Sequence, residues 1–174
     1  MSITPAARPG LEANFRGAMR RLAATVTIVT AADGERRHGM TVTAVTSVSM
    51  EPPSVLVCLN RSTLLHDIML GARLFCVNVL HHDQAGLSAA FSGKLPPEVR
   101  FGMGDWRFTH DGVPFLADAQ ATLFCRRTAA LPSGTHTIFV GEAFNANHRD
   151  EVAPLIYENA AYCRTQPVPA LHGA

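Results

Sequence analysis

The stretch "GMTVTAVTSVSMEPPSVLVCLNRST" (residues 39–63) decides the fold class. Its first half alternates as a β-strand does, and four small hydroxyl side chains share one face, interrupted by Val45: Thr41, Thr43, Ser47 and Ser49. The prolines at 52 and 53 end this strand, and "SVLVCLN" after them is apolar almost throughout, which predicts a strand deep in a sheet. Large polar side chains would be usual on a half-buried strand, so the small hydroxyls need an explanation.

Working outward, β-branched and apolar runs predict four more strands: "ATVTIVTAA" (24–32), "RLFCVNVL" (73–80), "ATLFCRRTAAL" (121–131) and "THTIFVGEAFNANH" (135–148). Apolar spacing predicts three short helices: 11–23, 62–72 and 82–93, the last with Asp83 as its N-cap. The segments between them are predicted as a hairpin turn at 33–39, an irregular loop at 94–106 and a short helix or irregular segment at 153–163. Long strands joined mostly as hairpins predict a mainly β fold, a closed antiparallel barrel with short helices.

Composition excludes several classes of protein. The 174 residues predict a single domain over 1–174, with a loose tail at 1–10, and a net charge of +1 without any basic run gives no sign of a nucleic-acid partner. No apolar run is long enough to span a membrane, and the N-terminus has no secretory signal. The four cysteines form no CxxC pair and are interpreted as free thiols, so a cytoplasmic protein is expected.

The residues alone suggest a site for a flat, phosphate-bearing ligand. In "NRST" (60–63) a strand leads into a helix start, where unpaired N–H groups, two hydroxyls and Arg61 could bind an anion. The alternative is that Ser62 or Thr63 simply caps the helix. The hydroxyl face could admit a flat heterocycle, although an exposed edge or a dimer face would have the same composition.

Three further candidates each have a structural alternative. Phe91 and Lys94 in "FSGK" could stack on a base and contact phosphate, or they could form a helix end. His136 could contact a substrate or bond to nearby backbone. "HHD" (81–83) lacks a second ligand cluster, so no metal site is predicted; His66 and Asp67 are expected to form a surface pair.

The ordered motifs "FRGAMRRLAATVTIVT", "GMTVTAVTSVSMEPPSVLVCLN", "FCVNVL", "LSAAFSGK", "GTHTIFVGE" and "Y…AYCR" resemble those of the short-chain flavin reductases, the NAD(P)H:flavin oxidoreductase components of two-component flavin monooxygenases. The resemblance covers about residues 14–164. It implies a split β-barrel of the FMN-binding, flavin reductase-like type that works as a homodimer. It also implies direct hydride transfer from NADH or NADPH to FMN or FAD, with reduced flavin passed to a flavin-dependent oxygenase.

The resemblance also assigns site residues. Those implied along the isoalloxazine ring are Thr41, Val42, Thr43, Ala44, Val45, Ser47, Val48 and Ser49. Those implied at the flavin phosphates or elsewhere on the cofactor are Asn60, Arg61, Ser62, Thr63, Asn78, Phe91, Ser92, Lys94 and Phe101. His136 is implied beside the nicotinamide, as a positioning group. Thr135 stands where many members have Asp, and position 61 varies, so the choice of nucleotide and the phosphate contacts stay open.

Two other functions remain open on the same barrel. One is a flavin-binding protein without enzymatic activity. The other is an oxidase or reductase that keeps its flavin bound and acts on an organic substrate.

Overall fold

The computed structural model describes residues 9–168. The helices are α1 (Leu11–Met19), α2 (Leu64–Gly71), α3 (Ala85–Ala89) and α4 (Pro97–Arg100), with a 3₁₀ turn at His82–Gln84 and a π turn at Ala90–Lys94. The first six strands are β1 (Ala24–Thr25), β2 (Thr27–Ala32), β3 (Arg37–Val42), β4 (Val45–Met50), β5 (Pro53–Asn60) and β6 (Leu74–Val79). The other six are β7 (Trp106–Phe108), β8 (Pro114–Leu116), β9 (Ala121–Ser133), β10 (His136–His148), β11 (Leu155–Glu158) and β12 (Ala161–Arg164).

A seven-stranded antiparallel sheet in the order β3-β2-β6-β9-β10-β5-β4 forms the barrel. Its two edge strands, β3 and β4, are consecutive in sequence and joined only by Thr43 and Ala44. The Cys58 N–H donates to the Ala44 carbonyl at 3.0 Å, which ties this junction to β5. The prediction of one continuous strand through the first half of the 39–63 stretch is therefore wrong. The chain crosses from one edge of the sheet to the other, so Thr41 lies on β3, Thr43 in the junction, and Ser47 and Ser49 on β4.

Helix α2 closes the barrel interior. Its apolar residues Leu65, Ile68 and Met69 are fully buried and pack with the inward side chains of the sheet, among them Phe139. His66 was predicted on the surface, and that prediction is wrong. It is 5% exposed, and its Nε2 lies 2.9 Å from the Thr137 hydroxyl, because a buried imidazole needs a hydrogen-bond partner.

The outer face of the sheet is covered by α3, the π turn and the β7–β8 hairpin. The helix predicted at 82–93 is instead a 3₁₀ turn followed by α3 and a π turn, and its first turn is capped by His81 in place of Asp83. The loop predicted at 94–106 contains α4. Neither strand of the β7–β8 hairpin was predicted.

The C-terminal segment predicted as helical or irregular is a β-hairpin, β11–β12, paired with β1. Asn159 and Ala160 form its turn at positive φ, which a single sequence signals poorly when no glycine is present. The "ATVTIVTAA" run is correspondingly split, with β1 in this small sheet and β2 in the barrel.

Helix α1 confirms the predicted helix but ends at Met19 in place of residue 23, and none of its residues is buried. Four residues remain between 47% and 63% exposed: Leu11, Phe15, Met19 and Leu22. All four cysteines are free, with Cys76 and Cys125 buried. No helix among residues 9–168 is long and apolar enough to cross a membrane.

We predict that Gly141→Ala destabilises the fold by about 1–3 kcal/mol, because an added methyl in a packed core forces its neighbours apart. A Cβ at Gly141 would overlap the Phe75 ring and lie 3.0 Å from Cys125 Cβ. Urea unfolding at a fixed protein concentration measures the change. The matched control is Gly86→Ala in α3, where nothing lies within 4 Å of the added atom; equal stability of the two variants would contradict the packing argument.

Candidate functional site

Three segments converge at one end of the barrel. Asn60, the last residue of β5, lies opposite His136, the first residue of β10. The Arg61 N–H donates to the Thr135 carbonyl at 3.0 Å, so the "NRST" corner and the β10 start hold each other. The Thr43–Ala44 junction lies beside the same end of β5, through the Cys58 to Ala44 hydrogen bond.

The junction exposes small side chains and unpaired backbone donors. Thr43 and Ala44 are both exposed. Among residues 9–168, their N–H groups donate no hydrogen bond, and the Thr43 hydroxyl has none either, whereas both carbonyls accept one. Exposed backbone donors beside small side chains suit the rim of a flat polar ring, because no large side chain blocks its approach.

The "NRST" corner is a hydrogen-bonded turn. Asn60 Oδ1 accepts from the Ser62 N–H and the Ser62 hydroxyl, both at 2.9 Å. The Thr63 hydroxyl donates to the Asn60 carbonyl at 2.8 Å and accepts from the His66 N–H at 3.3 Å, so Thr63 is the N-cap of α2. Arg61 and Ser62 are exposed. The capping alternative therefore holds for Thr63, while Arg61 and Ser62 remain accessible to an anion.

A cleft of about 130 Å³ lies beside Thr41 and Thr43. Sequence reasoning missed four of the residues lining it: Val26, Ser88, Tyr157 and Tyr162. The Ser88 hydroxyl is 2.8 Å from the Tyr162 hydroxyl, and the two tyrosine rings meet edge to face at 5.6 Å. The "Y…AYCR" motif contains both tyrosines, but the segment was predicted as helical or irregular, which does not pair them. The β11–β12 hairpin places Tyr157 opposite Tyr162.

The Ser88 carbonyl organises the polar side of this cleft. It accepts from the Thr41 hydroxyl at 2.7 Å and from the Ser92 hydroxyl at 2.9 Å. The structure thus places Thr41 and Ser92 on the same side of the cleft. The position of the Lys94 side chain lies outside what the structure describes.

The second half of the predicted hydroxyl face lies elsewhere. Ser47 pairs with Val55 and Ser49 with Ser54, with Val48 bulged between them. Val55 is five residues before Asn60 on β5, which is about 17 Å at the usual rise of a strand. Ser49 is occupied in a turn with Glu51, its hydroxyl donating to the Glu51 carbonyl at 3.0 Å. Thr43 and Ala44, with Val45 next to them, are the part of the stretch that lies near the corner.

Asn78 was predicted to bind cofactor, and the structure contradicts this. It is 0% exposed, its amide donates to the Ile28 carbonyl at 2.8 Å, and its Oδ1 accepts from the Leu116 N–H at 2.8 Å. Its amide joins β2 to the end of β8, so its role is structural.

Phe91 was predicted to stack on a base, and this is also contradicted because the side chain is 0% exposed. Its ring packs against Phe101 and Trp106 with centroids 5.2 and 5.1 Å away, and Arg100 lies over it at 5.5 Å. Gly39 makes room for it: a Cβ there would lie 2.8 Å from Phe91 Cε1. Phe101 belongs to the same aromatic cluster and is only partly buried. Val42 is buried too, so only its backbone could face a ligand.

His136 is partly buried, with Nδ1 2.9 Å from the Thr135 hydroxyl. This contact gives His136 a structural partner. Its position opposite Asn60 places it where the "NRST" corner meets the start of β10.

At the "HHD" motif, His81 Nδ1 lies 2.6 Å from Asp83 Oδ1, a hydrogen bond that lowers the pKa of Asp83. No group of three or more potential metal ligands occurs in the part of the chain that the structure describes.

His38 on β3 has an unusual environment. Burial, and after it the Arg100 guanidinium 3.3 Å from the ring nitrogens, lower the pKa of His38 from 6.5 to about 4. Desolvation and a like charge both oppose protonation. His38 is therefore a neutral residue of the structure near neutral pH.

Residues 19–166 match the family described as "Flavin reductase like domain", and the chain belongs to that family. It is 56% identical over 160 residues to the reductase component of the FADH(2)-dependent resorcinol hydroxylase of Rhizobium sp. (strain MTP-10005), covering 91% of this chain and 89% of the relative. It is 38% identical over 162 residues to the FMN reductase (NADH) RutF of Variovorax paradoxus (strain S110), covering 92% and 90%.

Solved structures agree. The NADH:FAD oxidoreductase SgcE6 of Streptomyces globisporus C-1027, in complex with NAD and FAD fragments, superimposes with a TM-score of 0.85 at 28% identity, covering 95% of this chain and 99% of that one. BorF, the flavin reductase component of a bacterial two-component tryptophan halogenase, gives 0.81 at 29% identity, covering 90% and 99%. The predicted split barrel is confirmed, as is the predicted enzyme class, an NAD(P)H:flavin oxidoreductase.

We predict that His38 makes stability depend on pH. Because its folded pKa lies below the unfolded value, the unfolded chain binds more protons between about pH 6.5 and 4, and stability is lost as pH falls through that window. In His38→Gln the stability difference between pH 7 and pH 5, measured by urea unfolding, should be smaller than in the wild type. His110→Gln, at an exposed histidine, is the control; identical pH dependence of wild type and His38→Gln would refute the prediction.

Proposed function

We propose that this reductase uses NADH to reduce FAD and delivers the reduced FAD to a separate hydroxylase that acts on a phenolic compound. The identity of 56% to a resorcinol hydroxylase reductase component supports FAD and the class of partner, and the names of the FMN reductase (NADH) and NADH:FAD oxidoreductase relatives support NADH. Under this proposal the flavin is exchanged between the two proteins, as an open, shallow site allows.

The observation that carries the site assignment is the Thr43–Ala44 junction. It offers two unpaired N–H groups beside small exposed side chains, next to the tyrosine-lined cleft on one side and the "NRST" corner on the other. We propose that the isoalloxazine ring lies over Thr43, Ala44 and Val45. A group with carbonyl and nitrogen acceptors on a flat rim matches these donors.

We propose that the flavin phosphates lie at the corner, near Arg61 and Ser62. Arg61 supplies a full charge and Ser62 an exposed hydroxyl, which the hydrogen bonds of Ser62 to Asn60 Oδ1 hold in the turn. Tyr157 and Tyr162 offer exposed ring edges at the cleft, and Ser88 fixes the Tyr162 hydroxyl. Ser47, Val48 and Ser49 take part only if the ligand extends along β4.

Bound flavin supplies the hydride-accepting chemistry, and the nicotinamide supplies the hydride. The chain's own residues bind and orient: the junction N–H groups hold the ring rim, and His136 presents its imidazole at the mouth beside Asn60. No residue of the described chain is needed as a proton donor for hydride arrival. His136 is therefore proposed to position the nicotinamide.

We also propose a homodimer, formed through α1. Three large apolar side chains on this helix, and Leu22 just after it, are about half exposed, and a second copy could bury them. The four free cysteines are consistent with the proposed reducing, cytoplasmic location.

Steady-state oxidation of NADH and NADPH, each with FMN and with FAD, tests the proposed reaction. We expect the highest kcat/KM with NADH and FAD, and hydroxylation of resorcinol when the oxygenase component of the Rhizobium relative is added. Flavin that stays bound through turnover, with NADH oxidation that does not depend on added flavin, would favour the alternative of an oxidase or reductase with bound flavin. The absence of NADH and NADPH oxidation with either flavin would favour a simple binding protein.

We predict that Ser62→Ala weakens FAD binding by about tenfold, because a hydrogen bond to a charged group contributes roughly 1.5–3 kcal/mol. Fluorescence quenching measures the dissociation constant, and riboflavin, which has no phosphate, should bind equally to both proteins. The matched control is Ser54→Ala at the other end of β5, where the hydroxyl donates to the Pro52 carbonyl at 2.9 Å. Equal FAD affinity in wild type and Ser62→Ala would mean that the flavin phosphates do not bind at this corner.

We predict that His136→Ala raises the KM for NADH and slows flavin reduction several-fold, while FAD affinity changes little, since the imidazole is placed to meet the nicotinamide. Stopped-flow reduction across pH measures both effects, and little added pH dependence is expected because no proton is required from the residue. His148→Ala, at the exposed end of the same strand, is the control. Wild-type rates and NADH dependence in His136→Ala would mean that the residue is structural only.

We predict that the double substitution Phe15→Asp and Leu22→Asp converts the dimer to monomer at micromolar concentration, because each buried apolar side chain contributes about 1.5–3 kcal/mol. Light scattering measures the mass. Asn14→Asp, which adds charge to the same helix at a polar position, is the control. A wild-type monomer, or an unchanged dimer in the double variant, would contradict the proposed interface.

A further inference from the structure

A cleft on the outer face of the barrel lies away from the proposed flavin site. Two cavities, of about 370 and 240 Å³, share Leu74, Asp111 and Val113 as a common wall. We name the pair the outer cleft. Cavities of this combined size are typical of small-molecule sites.

The outer cleft lies toward the opposite end of β2 from the proposed flavin site. Thr41 on β3 faces Ile28 of β2, whereas the cleft is bordered by Ala32, four residues farther along β2. Four residues of strand span about 13 Å. A ligand in the outer cleft would therefore not compete for the junction that the flavin is proposed to occupy.

One half of the outer cleft is positively charged. Arg73 and Arg126 border the larger cavity, together with the carboxylate of Asp111. In the chain from 9 to 168, neither guanidinium makes a hydrogen bond or an ion pair; by contrast, the neighbouring Arg127 donates to the carbonyls of Ala72 and Leu70. Two unpaired arginines against one carboxylate leave a net positive site with free bidentate donors.

The other half is aromatic. Phe124 and Phe144 line the smaller cavity, with centroids 6.5 Å apart, and Phe144 is 52% exposed. The Arg126 guanidinium stands over Phe144 at 5.9 Å, so the charged and aromatic halves meet at this pair.

One wall of the outer cleft is a hydrogen-bonded turn. The Thr109–Val113 turn is closed by the Val113 N–H donating to the Thr109 hydroxyl at 3.1 Å and by the Gly112 N–H donating to the Thr109 carbonyl at 3.0 Å. A preformed wall reduces the ordering cost of binding.

We propose that the outer cleft binds a small aromatic carboxylate, with its carboxylate between Arg73 and Arg126 and its ring against Phe144 and Phe124. A purely inorganic anion would leave the aromatic half unused, and a neutral aromatic compound would leave both guanidinium groups unpaired. The combination of a planar anion and a flat ring uses both halves. This site is separate from the reductase site and does not depend on the proposed choice of flavin.

Isothermal titration of the full-length protein with benzoate tests the proposal, with phenol and inorganic phosphate as comparison probes. We expect one saturable benzoate site per chain and binding at least about tenfold weaker for both comparison probes, because a charge-assisted pair and a ring contact are each lost. Arg73→Gln and Arg126→Gln should each weaken benzoate about tenfold, and Phe144→Leu should weaken it less. The matched control is Arg107→Gln, at an exposed arginine already ion-paired to Asp105 at 2.9 Å.

Several results would overturn the proposal. These are the absence of saturable benzoate binding, equal affinity for phosphate and benzoate, and unchanged binding in the two arginine variants. Loss of benzoate binding in the presence of saturating FAD would place benzoate in the flavin site. A change of mass by light scattering in Arg126→Gln would make this surface a contact between subunits. Retained NADH oxidation with FAD in both arginine variants confirms that they are folded.

Discussion

The hydrogen bond from the Cys58 N–H to the Ala44 carbonyl holds the point at which the chain crosses between the two edge strands, and the candidate site depends on this contact. It fixes the two residues that join the edge strands β3 and β4 against the end of β5. Because the chain must cross here from one edge of the sheet to the other, Thr43 and Ala44 leave both ladders, and their N–H groups stay unpaired. A barrel normally removes free edges; this one keeps two donors at its closing point, where a ligand can use them.

The other parts of the site follow from antiparallel pairing around that closure. Pairing of β5 with β10 places Asn60 opposite His136, and the turn after Asn60 leads directly into α2. Helix α2 in turn fills the barrel, anchored by the His66 to Thr137 contact. The "NRST" corner, His136 and the Thr43–Ala44 junction thus belong to the same packed unit. Their relative positions are set by core packing, which gives a rigid base for an otherwise open site.

Much of this fold could be predicted from the sequence because the barrel strands carry strong local signals. The β-branched runs of β2, β5 and β6 and the two long strands of the β9–β10 hairpin were found, as was α2. The break at Thr43–Ala44 could not be found, since closure is a tertiary event and the alternation continues through it. The burial of Asn78, Phe91 and His66 was missed for a related reason: they lie in a strand, a π turn and a helix, and the side chains that cover them come from other parts of the chain. The C-terminal hairpin, which brings Tyr157 and Tyr162 to the cleft, lacked a glycine turn signal.

The central claim is that the barrel-closing junction and the corner after β5 together hold the flavin. Backbone amide chemical shifts during titration of the isotope-labelled protein with FAD test this most directly, because they report on each N–H group separately. The account predicts large, saturable shifts at Thr43, Ala44, Val45 and residues 61–63, with small ones at Arg73 and Arg126. Shifts confined to other surfaces, with the junction amides unchanged at saturation, would contradict it.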